Sequence, residues 1–311
     1  MPTTPSLDAV TAIVPAAIAP HVLVPIDGSP FAERAVPVAA VYARLLDATL
    51  HLVRVHVPVV GVPVPGDLAL PVYDARWDAE ARVAALTYLE RLADVVRAET
   101  GLPVTTALRE GRVVEALRDY ENERHCGLVV SASHGRGGFA RILEGSVTDQ
   151  LVREGRAPVI VVHPGEDARP APPARPPAHI LVALDGSATA EQTLPLAAAL
   201  ALRAGAELLL FHAVNPGTEE QSLDEEAARG YLTDIAQRLP AGVRGTTRVV
   251  TAPEPAAAIL DAADAWNADL VALASHGRGG LRRAILGSVA DRVVRATPIA
   301  ALVVRAEERA A

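Results

Sequence analysis

Short apolar runs recur along the chain, and between them the apolar positions change period. HVLVPI (from His21), LHLVRVHV (from Leu50), VTTALREG (from Val104), GLVVSAS (from Gly127) and APVIVVHP (from Ala157) each read as a strand. After the first run the apolar positions Ala35, Val38, Ala39 and Tyr42 fall on one helical face, and Asp78 to Arg97, Val113 to Glu123 and Val147 to Arg153 repeat that spacing. Near-continuous apolar strands alternating with helices predict a parallel sheet covered on both faces. Five strands joined by right-handed crossovers predict a doubly wound α/β domain of strand order 3-2-1-4-5.

The same pattern then runs a second time. HVLVPIDGSPFAERAVPVAA (from His21) matches HILVALDGSATAEQTLPLAAA (from His179), and LHLVRVHVP (from Leu50) matches LLLFHAVNP (from Leu208). SASHGRGGFARILEGSVTDQLVRE (from Ser131) matches LASHGRGGLRRAILGSVADRVVRA (from Leu273), with His134 to Ser146 and His276 to Ser288 equally spaced. Asp27 and Asp185 are 158 positions apart, Gly135 and Gly277 only 142, so the first copy is 16 residues longer between these motifs. Matching His56 to His212 puts two of the extra residues before His56 and the rest after it, in PVVGVPVPGDLALPVYDARW. As a loop that segment exceeds the usual length, which favours a role over its site or toward a partner, or disorder. Between the copies PGEDARPAPPARPPA reads as a stiff polyproline spacer. The expected organisation is a tail over 1–19, a domain over 20–163, the linker Pro164 to Ala178, and a second domain over 179–306.

Composition narrows the chemistry. With 311 residues the chain can bury two cores, and its aromatic poverty leaves packing to Ala, Val and Leu. A net charge of −8 argues against a nucleic-acid binder. Every basic residue other than histidine is arginine, so there is no Walker, Schiff-base or general-base lysine. The single cysteine, Cys126, excludes an intramolecular disulfide and a cysteine zinc site, and its apolar neighbours place it at a buried strand. Residues 1–20 lack a basic n-region and no apolar run approaches the roughly 20 residues of a membrane span, so the expected location is the cytoplasm.

In a doubly wound sheet a ligand sits beyond the carboxyl ends of the strands where their order reverses, here between strands one and four. Asp27-Gly28-Ser29 and Asp185-Gly186-Ser187 end strand one, and SHGRGG ends strand four, so both motifs meet at that crevice. Gly135, Gly137 and Gly138, with Gly277, Gly279 and Gly280, permit positive φ and let backbone approach a phosphate chain closely. Gly145-Ser146 and Gly287-Ser288 precede helices, so N–H groups and the serine hydroxyl form an anion site. The carboxylates of Asp27 and Asp185 suit ribose hydroxyls, and Arg136 and Arg278 can screen phosphate charge. Plainer readings stand beside these. Ser146 and Ser288 fit capping boxes, Asp27 fits an Asx turn, and His134 and His276 fit loop-orienting roles. A dinucleotide fingerprint and a P-loop are both absent.

Both halves resemble the universal stress protein family in its tandem form, from His21 to Arg305. Nucleotide-binding members carry G-x2-G-x9-G-(S/T) after strand four; here Ala132 and Ala274 stand at the first glycine, followed by Gly135, Gly145, Ser146 and by Gly277, Gly287, Ser288. A positive φ at either alanine would be strained. The resemblance implies that Asp27 and Asp185 contact ribose or adenine beside Pro25 and Ala183, and that Val57 and Ala213 line the adenine slot. It also implies that Gly135, Gly145, Ser146 and Val147, with Gly277, Gly287, Ser288 and Val289, hold phosphates, next to Thr148. ATP, with magnesium, is the implied ligand. Pairing through strand five implies an internal pseudo-dimer of PVIVVHP with PIAALVVRA, open to further dimerisation. The leading reading is an ATP-binding stress-response regulator, hydrolysing slowly at most and signalling to a protein partner. The alternatives are an interaction or chaperone-like scaffold and an adenylating enzyme, though IDGSP and LDGSA lack the SGGxDS loop of the latter.

Overall fold

The computed structural model describes residues 19–58, 60–61, 72–73, 75–133, 147–163, 174–216, 223–276 and 286–305. In the first half, strands β1 (His21–Pro25), β2 (Thr49–His56), β5 (Val104–Glu110), β6 (Leu128–Ala132) and β7 (Val159–Val162) alternate with helices. The helices are α1 (Pro30–Glu33), α2 (Ala35–Leu46), α3 (Ala75–Thr100), α4 (Val113–Arg124) and α5 (Val147–Glu154). The second half repeats the plan with β8 (His179–Ala183), β9 (Glu207–Val214), β10 (Arg244–Thr251), β11 (Leu270–Ala274) and β12 (Ala300–Val304). Its helices are α6 (Ala188–Glu191), α7 (Leu194–Ala204), α8 (Glu225–Gln237), α9 (Pro255–Ala265) and α10 (Ser288–Ala296).

The strand orders β5-β2-β1-β6-β7 and β10-β9-β8-β11-β12 are the expected 3-2-1-4-5 in each half, all parallel within the half. The halves do not stop at separate sheets. β7 pairs antiparallel with β12, Val161 opposite Ala301 and Ile160 opposite Leu302, so ten strands form one sheet. One face packs Leu50, Leu89, Ile180, Leu200 and Leu232 into a core shared by both halves; the other packs Leu117, Leu151, Phe211, Ile259 and Val293. Helices α2 and α7 meet across the seam, where Arg203 Nη1 donates to Leu45 O at 3.0 Å. Both faces being covered explains why the strands lack alternation: a residue facing either way is buried.

Strand register corrects one detail of the repeat. His21 pairs Thr49 and His179 pairs Glu207, so the separation of 158 persists through strand two. Arg54 therefore corresponds to His212, Val55 to Ala213, His56 to Val214 and Val57 to Asn215. The match of His56 with His212 is a coincidence of letters, because an insertion within a fully paired eight-residue strand would break its ladder. All the extra length follows β2. There, β3 (Val60–Gly61) and β4 (Val72–Tyr73) pair antiparallel, so the base of the longer segment is a short two-stranded ribbon where a loop was expected.

Candidate functional site

The crevice opens beyond the carboxyl ends of β1 and β6 in the first half, and of β8 and β11 in the second, where the strand order reverses. At the end of β1, Asp27 Oδ1 accepts the backbone N–H of Ser29 at 2.8 Å, and Ser29 Oγ accepts from Ala32 N at 3.1 Å to cap α1. Asp185 makes the same turn, accepting from Ser187 N at 2.9 Å and from its hydroxyl at 2.5 Å, while Ser187 Oγ caps α6. The plainer Asx-turn reading is thus correct for one oxygen of each carboxylate. It also holds both aspartates rigidly at the crevice, Asp27 exposed and Asp185 half-buried. Gly28 takes φ +92° and Gly186 φ +81°, the left-handed backbone these turns need.

Residues that sequence patterns did not single out complete this wall. A Cβ on Gly28 would lie 2.9 Å from Arg54 Nη1, so the Arg54 guanidinium sits directly against the turn. It also lies 5.6 Å from the centre of the Tyr88 ring, whose hydroxyl donates to Glu33 Oε1 at 2.7 Å. Burial, the bond to Glu33 and its charge hold the Tyr88 phenol well above its ordinary range. In the second half Tyr231 lies beside Glu191 and Asp185, and burial with those charges likewise keeps its phenol protonated. At the position of Arg54 the second half has His212, whose Nδ1 donates to Leu184 O at 2.8 Å, and the cation beside Glu191 there is Arg238, at 3.6 Å. The signal was available, since a Tyr and a Glu recur in both copies, but only the fold brings α1 and α3 together.

Across the crevice, Ala132 and Ala274 end β6 and β11 within the sheet, paired with Val162 and Val304. Neither alanine is among the described residues of positive φ, so the strain expected of a missing glycine does not arise. Thr148 Oγ1 donates to Ala132 O at 2.8 Å and lies 2.7 Å from Ser131 Oγ, pinning the first turn of α5 to the strand. In the second half Ala290 replaces Thr148, and Gly287 N donates to Ser275 O at 2.7 Å. The capping-box reading fails at Ser288. Gly287, which has no side chain to cap with, is the N-cap of α10, and Asp291 pairs with Arg295 at 2.8 Å. His276 Nδ1 lies 3.0 Å from Ser275 Oγ, whereas its Nε2 is buried without a partner.

Pro25 and Ala183 are half-buried at the ends of β1 and β8. Val57 follows β2 and is 61% exposed, whereas Ala213 lies inside β9 and is half-buried, so they are not equivalent positions. Val147, Ser288 and Val289 lie in the first turns of α5 and α10. His134, Gly135, Arg136, Gly137, Gly138, Gly145, Ser146, Gly277, Arg278, Gly279 and Gly280 lie outside the described residues. A further network sits near the end of β2. His56 Nε2 bonds Asp78 Oδ1 at 2.7 Å with both side chains buried, and Arg82 joins Asp78 at 3.1 Å to Glu110. It ties α3 to β2 and β5 on either side of the longer segment. Cys126 is buried, and burial with Glu121 pushes its thiol up to about 12, which leaves no reactive thiolate.

Two tandem units, each a five-stranded parallel sheet of order 3-2-1-4-5 with an acidic turn at the end of its first strand, define the doubly wound α/β class. The chain belongs to the universal stress protein family, whose sequence profile matches residues 19–163 and 178–305. It is 33% identical over 297 residues to a universal stress protein of Mycolicibacterium smegmatis, covering 91% of this chain and 96% of that one. A Mycobacterium tuberculosis H37Rv universal stress protein is 31% identical over 295 residues, again covering 91% and 96%. Among solved structures, a universal stress protein from Archaeoglobus fulgidus shares the fold with a TM-score of 0.70 at 19% identity, over 93% of this chain and 97% of that one.

Proposed function

We propose that each half, 20–163 and 179–306, binds one adenine nucleotide at its switch point, and that the chain is a regulatory binding protein rather than a catalyst. The observation that carries this reading is the duplicated crevice. In both halves a carboxylate fixed by an Asx turn faces the small residue that ends strand four and the helix after it. In the second half, where these positions are described, three features suit a phosphate chain: a glycine N-cap to α10, a Ser288 hydroxyl not spent on capping, and a buried His276 Nε2 without a partner. Asp27 and Asp185 would accept ribose hydroxyls, and the first-turn N–H groups of α5 and α10 would hold phosphate oxygens. Arg54 places a cation against the acidic turn of the first crevice. Magnesium would enter on the phosphates, since among the described residues no three His, Cys, Asp or Glu side chains gather. The joined fifth strands make the chain an internal pseudo-dimer in this reading. Work in the cytoplasm, answering stress through a protein partner or a second copy of the chain, completes it.

The test is to purify the protein without added nucleotide, denature it and quantify the released adenine nucleotides by chromatography, then titrate the stripped protein with ATP and magnesium. Close to two ATP per chain is the expected result. One would mean that the halves have diverged. None, with no binding on titration, would overturn the reading in favour of a scaffold.

A further inference from the structure

The residue that follows the fifth strand of each half reaches into the other half. Arg305, just after β12, donates from Nη1 to Glu154 O at 2.9 Å and Gly155 O at 3.0 Å, at the carboxyl end of α5. The register of β7 and β12 with their neighbours makes His163 the counterpart of Arg305. His163 is buried, and its Nε2 donates to Val294 O in the last turn of α10 at 2.6 Å. Its Nδ1 lies 3.1 Å from Ser133 O, at the end of β6. Each half therefore caps the other's helix, one with a permanent cation and one with an imidazole.

Carbonyl oxygens only accept hydrogen bonds, so both contacts of His163 are satisfied only when both ring nitrogens carry hydrogen. The equivalent position carries arginine, a permanent cation that meets carbonyls at the matching end of α5, and a helix carboxyl end favours a cation. The charged groups sharing its cavity are Asp149 from α5, and Asp291 and Arg295 from α10. Arg153 pairs with Asp149 at 3.1 Å and Arg295 with Asp291 at 2.8 Å, so the two arginines nearest this cavity each have a carboxylate partner.

We propose that His163 is a proton-dependent latch: as an imidazolium it ties α10 of the second half to the end of β6 in the first, and on deprotonation one of the two ties is lost. The latch is complete at acid pH and weakens as pH rises through the folded titration of His163. It stands on the seam alone and holds whether or not nucleotide binds.

The test is histidine side-chain NMR of the full chain, with thermal unfolding of wild type, His163→Arg and His163→Gln from pH 5.5 to 8.5. Expected is an imidazolium that titrates above the unperturbed midpoint of about 6.5. His163→Gln should melt a few degrees below wild type at pH 5.5, with the gap closing by pH 8.5, and His163→Arg should keep the low-pH stability throughout. A ring already neutral at pH 6, or a gap equal at both pH values, would overturn the latch. The wild-type spectrum decides the question even if neither variant folds.

Discussion

His51 carries the clearest pH consequence of any side chain here. It is buried on β2, with Nε2 2.9 Å from His21 Nδ1 and Nδ1 2.8 Å from both the Tyr120 hydroxyl and Thr105 Oγ1. Burial first, then the charges of His21 and Arg124, lower its pKa to about 4. The unfolded chain takes up this proton near pH 6.5 while the folded chain resists it, so stability is full above that range and falls as pH drops toward 4. Between pH 7 and pH 5 the loss should be about 2 kcal/mol. Urea unfolding at those two pH values measures it, and His51→Leu, which copies Leu209 of the second half, should remove most of the difference. At the same scale, Asp27→Ala should weaken nucleotide binding in the first half about tenfold or more, by loss of a charged hydrogen-bond acceptor. Calorimetric titration should show the second half unchanged, and Asp185→Ala should give the mirror result. Asp27 and Asp185 were readable in the sequence because a turn motif repeated. Arg54, Tyr88 and His163 were not, because their partners come from elements distant in the chain.

At the scale of elements, the two helices that follow the glycine-rich motif are anchored differently. α5 is pinned by Thr148 to Ser131 and Ala132, all close to the strand end, whereas α10 has alanine at that position. Thr148→Ala should cost about 1–2 kcal/mol, because Ser131, 4% exposed, loses its partner. Chemical denaturation would show the loss, and a cost below about 0.3 kcal/mol would mean that α5 is held by packing alone. Strands and helices were legible because parallel strands buried on both faces leave unbroken apolar runs. Helix ends were less so: α3 runs from Ala75 to Thr100, beyond both ends of the apolar period, since polar residues at its termini also adopt helix. The two-stranded ribbon after β2 was invisible, because strands of two residues have no period.

For the whole molecule, the seam decides how the halves behave. Ile160 and Leu302 are fully buried where β7 meets β12, and the core of one sheet face is continuous across both halves. The chain should therefore unfold in one calorimetric transition. A protease site introduced between residues 164 and 173 should, after cleavage, leave two fragments that co-elute in gel filtration. Separate elution would show that the linker and not the seam holds the halves together. Among the described residues, no helix is long and apolar enough to cross a membrane.

Because β7 and β12 run in opposite directions, the two crevices open at opposite edges of the sheet. Four strand spacings and one strand length separate them, on the order of 25 Å. That is roughly three screening lengths at physiological ionic strength, so an anion bound at one pole exerts almost no field at the other. Any cooperativity between them has to be mechanical. The levers are already in place: α10 begins at the second crevice and ends on His163 beside the first, and α5 runs the reciprocal course to Arg305.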